Sequence, residues 1–189
     1  MKQTYTPILL SISFIYFISC NSDKLIRSAN SVDKDTAIYH ANFLFKDTTG
    51  TAFFECEKFV DNALSRYTIT YMKAQTDNSL KLSTKPFVNK HDGAIVDTIY
   101  TFSNTANKIQ IYRARHEDFI FTFDVADPKL KLAGGIGPGM TKGTFSNKLH
   151  IDGNISKNVH VTNKEGSMRF MFIFSGDTLK KVYSYLYLD

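Results

Sequence analysis

Few residues in this chain have the types and spacing that chemistry needs. Five histidines, His40, His91, His116, His150 and His160, pose the question of metal binding. A zinc site wants ligands at short, regular spacings, and no two of these histidines stand four apart or in a His-Glu-x-x-His frame. His116-Glu117-Asp118 falls in a charged stretch expected to be a solvated turn, while His150-Ile151-Asp152 would put two ligands on one strand face. Cys56 stands between Glu55 and Glu57, whose charges disfavour a thiolate, so a small buried residue is expected there and not a nucleophile. No serine occupies a Gly-x-Ser-x-Gly frame. Gly134 and Gly139 have the glycine spacing of a phosphate-binding loop, but Met140-Thr141 follows where Lys-Ser/Thr is required. A dinucleotide fingerprint begun at Gly135-x-Gly137 would need glycine at 140, which is Met. The expectation is therefore no catalytic residue, no metal and no cofactor, with an enzyme the least supported class. What remains is a stripe, Tyr183, Tyr185 and Tyr187, at alternate positions. Tyrosine buries area at low entropy cost and keeps a polar tip, so the stripe is read as a candidate interaction surface. The competing reading places these rings beneath a helix.

The elements that must position these residues are set by length and composition. The chain has 189 residues, 43% apolar and 22% charged, which suits one folded domain and excludes a disordered or low-complexity protein. Its net charge of +5 is spread over scattered lysines and arginines with no basic block, so a nucleic-acid partner is not expected.

Lys2 precedes an apolar run of eleven residues, Ile8 to Ile18, which as a helix would span only about 16 Å of a ~30 Å hydrocarbon core. That run fits the h-region of a secretory signal. Its end, Phe17-Ile18-Ser19-Cys20, resembles the lipobox of bacterial lipoproteins. The resemblance implies cleavage after residue 19, lipidation of Cys20, and anchoring by three acyl chains, above the two needed for stable attachment. Polar residues follow, so 1–19 is read as signal peptide, 20–36 as a lipid-anchored tether and 37–189 as the folded domain. In the lipoproteins this end resembles, the residue after the lipidated Cys sorts the protein, and Asn21, which is not Asp, carries from that resemblance the implication of the outer membrane of the cell envelope.

The domain reads mostly as strands. Ile38 to Phe45 and Thr51 to Cys56 flank the turn Asp47-Thr48-Thr49-Gly50, a hairpin signal. Residues 53–65 fit both strand and helix. Tyr67-Thr68-Ile69-Thr70-Tyr71 alternates and predicts a strand, whereas Lys85 to Asp97, with Pro86 and Asp92-Gly93, predicts a loop. Ile109 to Ile111 and Phe119 to Val125 predict a second hairpin. Thr141 suits an N-cap, with Met140 and Phe145 at the two staple positions and Leu149 on the same helical face. Last come Met168 to Phe174 and Leu179 to Leu188, a closing hairpin with Phe170, Phe172 and Phe174 on one face.

Gly139-Met140-Thr141 with Phe145 and Leu149, followed by Phe172-x-Phe174, Gly176-Asp177-x-Leu179 and Val182, resembles small envelope lipoproteins of the BamE/SmpA type and the wider β-lactamase-inhibitor-like fold. The resemblance covers residues 136–189 and implies a noncatalytic helix-on-sheet platform that contacts other envelope proteins. Together these readings predict an α+β domain dominated by antiparallel sheet, with one or two short helices packed on it. The function expected is that of a membrane-anchored protein-binding or structural-interaction module. The alternative is a small apolar-ligand carrier whose strands over 38–125 curl into a barrel.

Overall fold

Apolar alternation does build strands in the computed structural model, which describes residues 38–75, 79–89, 92–115 and 117–185. Cys20, the signal and tether over 1–36, Tyr187, His91 and His116 lie outside these residues, and so does the side chain of Tyr185. The described residues belong to one unit, Val32–Asp189. Strands β1 (Asn42–Lys46) and β2 (Ala52–Glu55) form the first expected hairpin. Asp47 closes its turn by accepting from the Thr49 N–H at 3.0 Å and the Thr51 N–H at 2.8 Å. Gly50 there has φ +83°, a conformation that costs a side-chain-bearing residue energy.

The ambiguous stretch 53–65 is both strand and helix: β2 ends at Glu55 and α1 (Glu57–Ala63) begins two residues later. Its buried residues Phe59, Val60 and Ala63 follow the three-to-four spacing of a helix face. The strand predicted over Tyr67–Tyr71 is corrected to a helix, α2 (Ile69–Gln75). Thr68 caps it by accepting the Tyr71 N–H at 3.1 Å, and Ile69 and Met72, three apart, are the residues it buries. The alternation in this stretch was real but short, and tertiary burial followed the other period.

The loop predicted over Lys85–Asp97 is also corrected. Strands β3 (Lys81–Val88) and β4 (Val96–Ser103) pair through it as a hairpin. Pro86 is tolerated because β3 is a sheet edge, where a missing N–H need not break a ladder. Next come β5 (Lys108–Ala114) and β6 (Glu117–Val125). The charged stretch 113–118 is mostly strand rather than turn, with Arg113 opposite Asp118.

A glycine-rich 3-10 turn (Ala133–Gly135) leads to α3 (Lys142–Leu149). Thr141 caps α3 as expected, accepting the Thr144 N–H at 3.2 Å. Strands β7 (Asn158–Thr162), β8 (Arg169–Ser175) and β9 (Thr178–Tyr185) complete the fold.

Among the described residues the nine strands form one sheet in the order β1-β2-β7-β8-β9-β6-β5-β4-β3. Its pairs are antiparallel except β2 with β7, which run parallel with α1, α2, β3 to β6 and α3 between them in the chain. The α+β, sheet-dominated class holds. The order is linear, with β1 and β3 at its ends, and the strands before residue 125 are split between both ends and do not curl into a barrel. The three helices share one face of the sheet. Phe59 of α1 packs on Phe170 and Phe172 at ring separations of 5.6 and 6.1 Å. Phe145 of α3 packs on Phe172 and Phe174 at 4.8 and 5.4 Å. Tyr67, leading into α2, meets Phe123 at 4.9 Å. These rings are buried and form the core between helices and sheet.

Candidate functional site

The second face of the sheet is the surface on which function can be built. Val182 and Ser184 of β9 are buried toward the helices, so alternation turns Tyr183 the other way, where it is half-buried. The reading that buries the tyrosine stripe under α3 is therefore corrected at Tyr183. Tyr185 is described only by its backbone register, opposite Thr122.

Tyr183 does not stand alone. It is opposite Met171, which is opposite His160, then Phe53, then Phe45. In the other direction Tyr183 faces Asp124, then Lys108, Ser103 and Lys81. Among the described residues one row of directly opposed residues thus crosses all nine strands on the face that no helix covers, aromatic and apolar over one half and charged or hydroxylic over the other. At about 4.8 Å per strand, the run from Phe45 to Tyr183 is roughly 19 Å long. Its members touch: Phe45 stacks on Phe53 with centroids 4.4 Å apart at 14°, and Phe53 meets His160 at 4.6 Å. The Arg169 guanidinium lies 5.7 Å over the Phe53 ring, a cation–π contact. Where the charged half begins, Lys181 pairs with Asp124 at 2.8 Å.

His160 sits in this row with its Nδ1 buried and without a hydrogen-bond partner among the described residues. Burial, and next the charge of Arg169, hold its pKa below the ordinary histidine value, so the neutral ring is favoured. Sequence reasoning identified Tyr183 but missed Phe45, Phe53, His160 and Met171 as its companions. Phe53, His160 and Met171 each alternate with buried residues in their own strands, a visible signal, whereas β1 around Phe45 has no buried residue, and their union into one row needs the strand order.

The other residues weighed for chemistry are dispersed. His40 and His150 rings approach to 4.3 Å, a pairing that 110 residues of separation concealed. His150 is the left-handed C-cap of α3 (φ 49°), and Ile151 and Asp152 continue without strand structure, which corrects the expected two-ligand strand face. Among the described residues no group of three or more His, Cys, Asp or Glu side chains stands together as a metal cradle. Cys56 is buried at 3% exposure, and burial pushes its thiol pKa up.

Two concavities accompany the row. At the tips of the β3–β4 and β5–β6 hairpins a cleft of about 540 Å³ is lined by Asn89, Asp92, Asp97, Arg115 and Glu117. Asp97 is engaged there, accepting the Tyr112 hydroxyl and, at 2.8 Å, the Asn89 amide. Those two hydrogen bonds hold its carboxyl below the usual range. A second groove of about 370 Å³ lies between α1, the turn that follows it and β6, lined by Leu64, Tyr67, Ile120 and Met168 and, among polar groups, by Asp61 and Asp118.

Compared with models of known protein families, with curated proteins and with solved structures, the chain finds no match in any of the three.

Proposed function

We propose that this chain is a noncatalytic lipoprotein of the bacterial cell envelope, anchored through Cys20 in the outer membrane, whose helix-free sheet face binds another envelope protein. The row Phe45, Phe53, His160, Met171, Tyr183 carries the reading. A roughly 19 Å line of aromatic and thioether side chains, on the face that no helix covers among the described residues, has the composition of an interface centre. The adjoining half, Asp124 and Lys108, supplies the polar rim.

A photo-crosslinking residue at Tyr183 in living cells tests this. It should give one discrete protein adduct that Met171→Glu abolishes, while the same probe at Asn147, exposed on α3, gives none. The absence of any adduct from positions 53, 171 and 183 refutes the interface. Mass spectrometry tests the anchor separately: an unmodified amino end with Met1 attached refutes it.

The second reading, an apolar-ligand carrier, is favoured by the groove between α1, the turn that follows it and β6, whose volume falls in the range of small-molecule sites. Displaceable binding of a fluorescent fatty acid, lost in Leu64→Arg, would support the carrier; its failure to bind would remove that reading.

A further inference from the structure

The first described residue, Ile38, stands four positions before β1 and eighteen after Cys20. Ile38, Phe43, Leu44 and Phe45 are 56, 61, 45 and 51% exposed. They are half of the exposed large apolar side chains among the described residues, gathered in eight consecutive positions. This segment is fixed to the domain. The Tyr39 N–H donates to the Lys148 carbonyl at 2.7 Å, the Ala41 N–H donates to that of Leu149 at 2.8 Å, and the buried Tyr39 ring packs on Phe59.

The two ends of the sheet are built differently. Edge strand β3 carries Lys81, Lys85 and Pro86, devices that repel an added strand. Edge strand β1 has aromatic and aliphatic side chains there instead, with Lys46 at its end. Its register breaks between Phe43 and Phe45, so a second polypeptide would meet an interrupted ladder. The same bulge lets Phe43 pack on Phe54 toward the helix side while Phe45 stacks on Phe53 on the other side. The two rings straddle the edge, with Leu44 between them. Such an edge fits a partner that accepts apolar side chains and imposes no hydrogen-bond register. A lipid surface is that partner: at headgroup depth the edge amides and carbonyls keep polar neighbours, which the hydrocarbon would deny them.

Where the chain leaves the domain favours the same occupant. Only eighteen positions separate Ile38 from Cys20, so even at full extension the chain keeps β1 within about 65 Å of a bilayer that holds Cys20. Lys46 and the net charge of +4 that remains once Lys2 leaves with the signal add attraction to anionic headgroups. We propose that the β1 edge docks on the bilayer that carries the anchor, with Phe43, Leu44 and Phe45 in the interfacial layer, which leaves Phe53, His160, Met171 and Tyr183 of the row for the protein partner, close to the membrane surface. This inference rests on the lipid anchor of the preceding section.

The chain contains no tryptophan, so Phe45→Trp creates a single fluorescent reporter at the edge. Val96→Trp places one at an exposed site near the far end of the sheet, roughly 30 Å away by strand count. The full chain from cell membranes is reconstituted into phosphatidylcholine–phosphatidylglycerol vesicles with and without brominated acyl chains. Bromination should lower Phe45→Trp emission at least twofold, with a blue shift, and leave Val96→Trp within a tenth of its original intensity. If the protein floats with vesicles but Phe45→Trp is unquenched, or both reporters are quenched alike, docking is overturned while the anchor stands. If the chain neither floats nor carries acyl mass, the anchor falls and docking falls with it.

Discussion

Replacing Phe145 with Ala should cost this domain about 3–5 kcal/mol, the usual range for deleting a buried phenylalanine ring. Three observations set that scale. Phe145 is fully buried; its ring meets Phe172 at 4.8 Å and Phe174 at 5.4 Å; and α3, which presents it, has eight residues and includes Gly143. A helix so short is marginal on propensity alone, and Gly143 in its first turn is a poor helix former, so packing has to hold it on the sheet. Each aromatic contact adds about 0.5–1.5 kcal/mol beyond area burial, which places the expected loss in the upper half of the range. For a domain of this size each kcal/mol shifts the midpoint by about 2–4 °C, so a thermal melt followed by circular dichroism should drop by roughly 8–20 °C. Thr141→Ala is the comparison. It removes the one side-chain cap, whose hydroxyl accepts from the Thr144 N–H at 3.2 Å, and should cost about 1 kcal/mol. A Phe145→Ala loss below about 1 kcal/mol, or a cap variant as damaging as the ring variant, would refute the view that packing on β8 makes this helix.

Three further outcomes follow from the same structure. Burial alone would raise the Asp118 carboxyl, but hydrogen bonds from Arg113 at 2.7 and 2.9 Å, the Ile69 N–H and the Arg113 charge together hold its pKa below the usual value. Because the folded pKa is the lower one, this stabilisation is complete above the ordinary carboxylate range near pH 4 and is lost as pH falls through it and below. Asp118→Asn should therefore be less stable than wild type at pH 6, with a flatter urea midpoint between pH 6 and 3; parallel curves would refute the linkage. His160, held below its ordinary pKa, contributes stability above about pH 6.5 that is lost on acidification, so His160→Gln should flatten the midpoint between pH 7 and 5. In a Cys20→Ala chain, Cys56 should react with a thiol reagent only in denaturant, and rapid labelling of the folded protein would contradict its burial.

Local features were the legible ones. The Asp47–Gly50 turn, the Thr141 cap and the alternation of Phe170, Phe172 and Phe174 each depend on residues a few positions apart, and each stands where the residues said. Tyr67–Tyr71 misled because five alternating residues satisfy a strand, while the burial of Ile69 with Met72 required a helix against β6. Lys85–Asp97 misled in the opposite sense. Pro86 argues against a central strand, and nothing local says that β3 is an edge.

The candidate surface divides in the same way. That Tyr183 points away from Val182 and Ser184 follows from backbone alternation, a property of the chain itself. Which face the helices cover, and that Tyr183 shares a row with Met171, His160, Phe53 and Phe45, depends on pairing strands from residue 45 to residue 183, and on the parallel junction of β2 with β7. Short-range dihedral and capping preferences are encoded within a few neighbouring residues. Partner choice between distant strands is decided by burying Phe59, Phe145, Phe170 and Phe172 together in one core, which only the assembled chain can do.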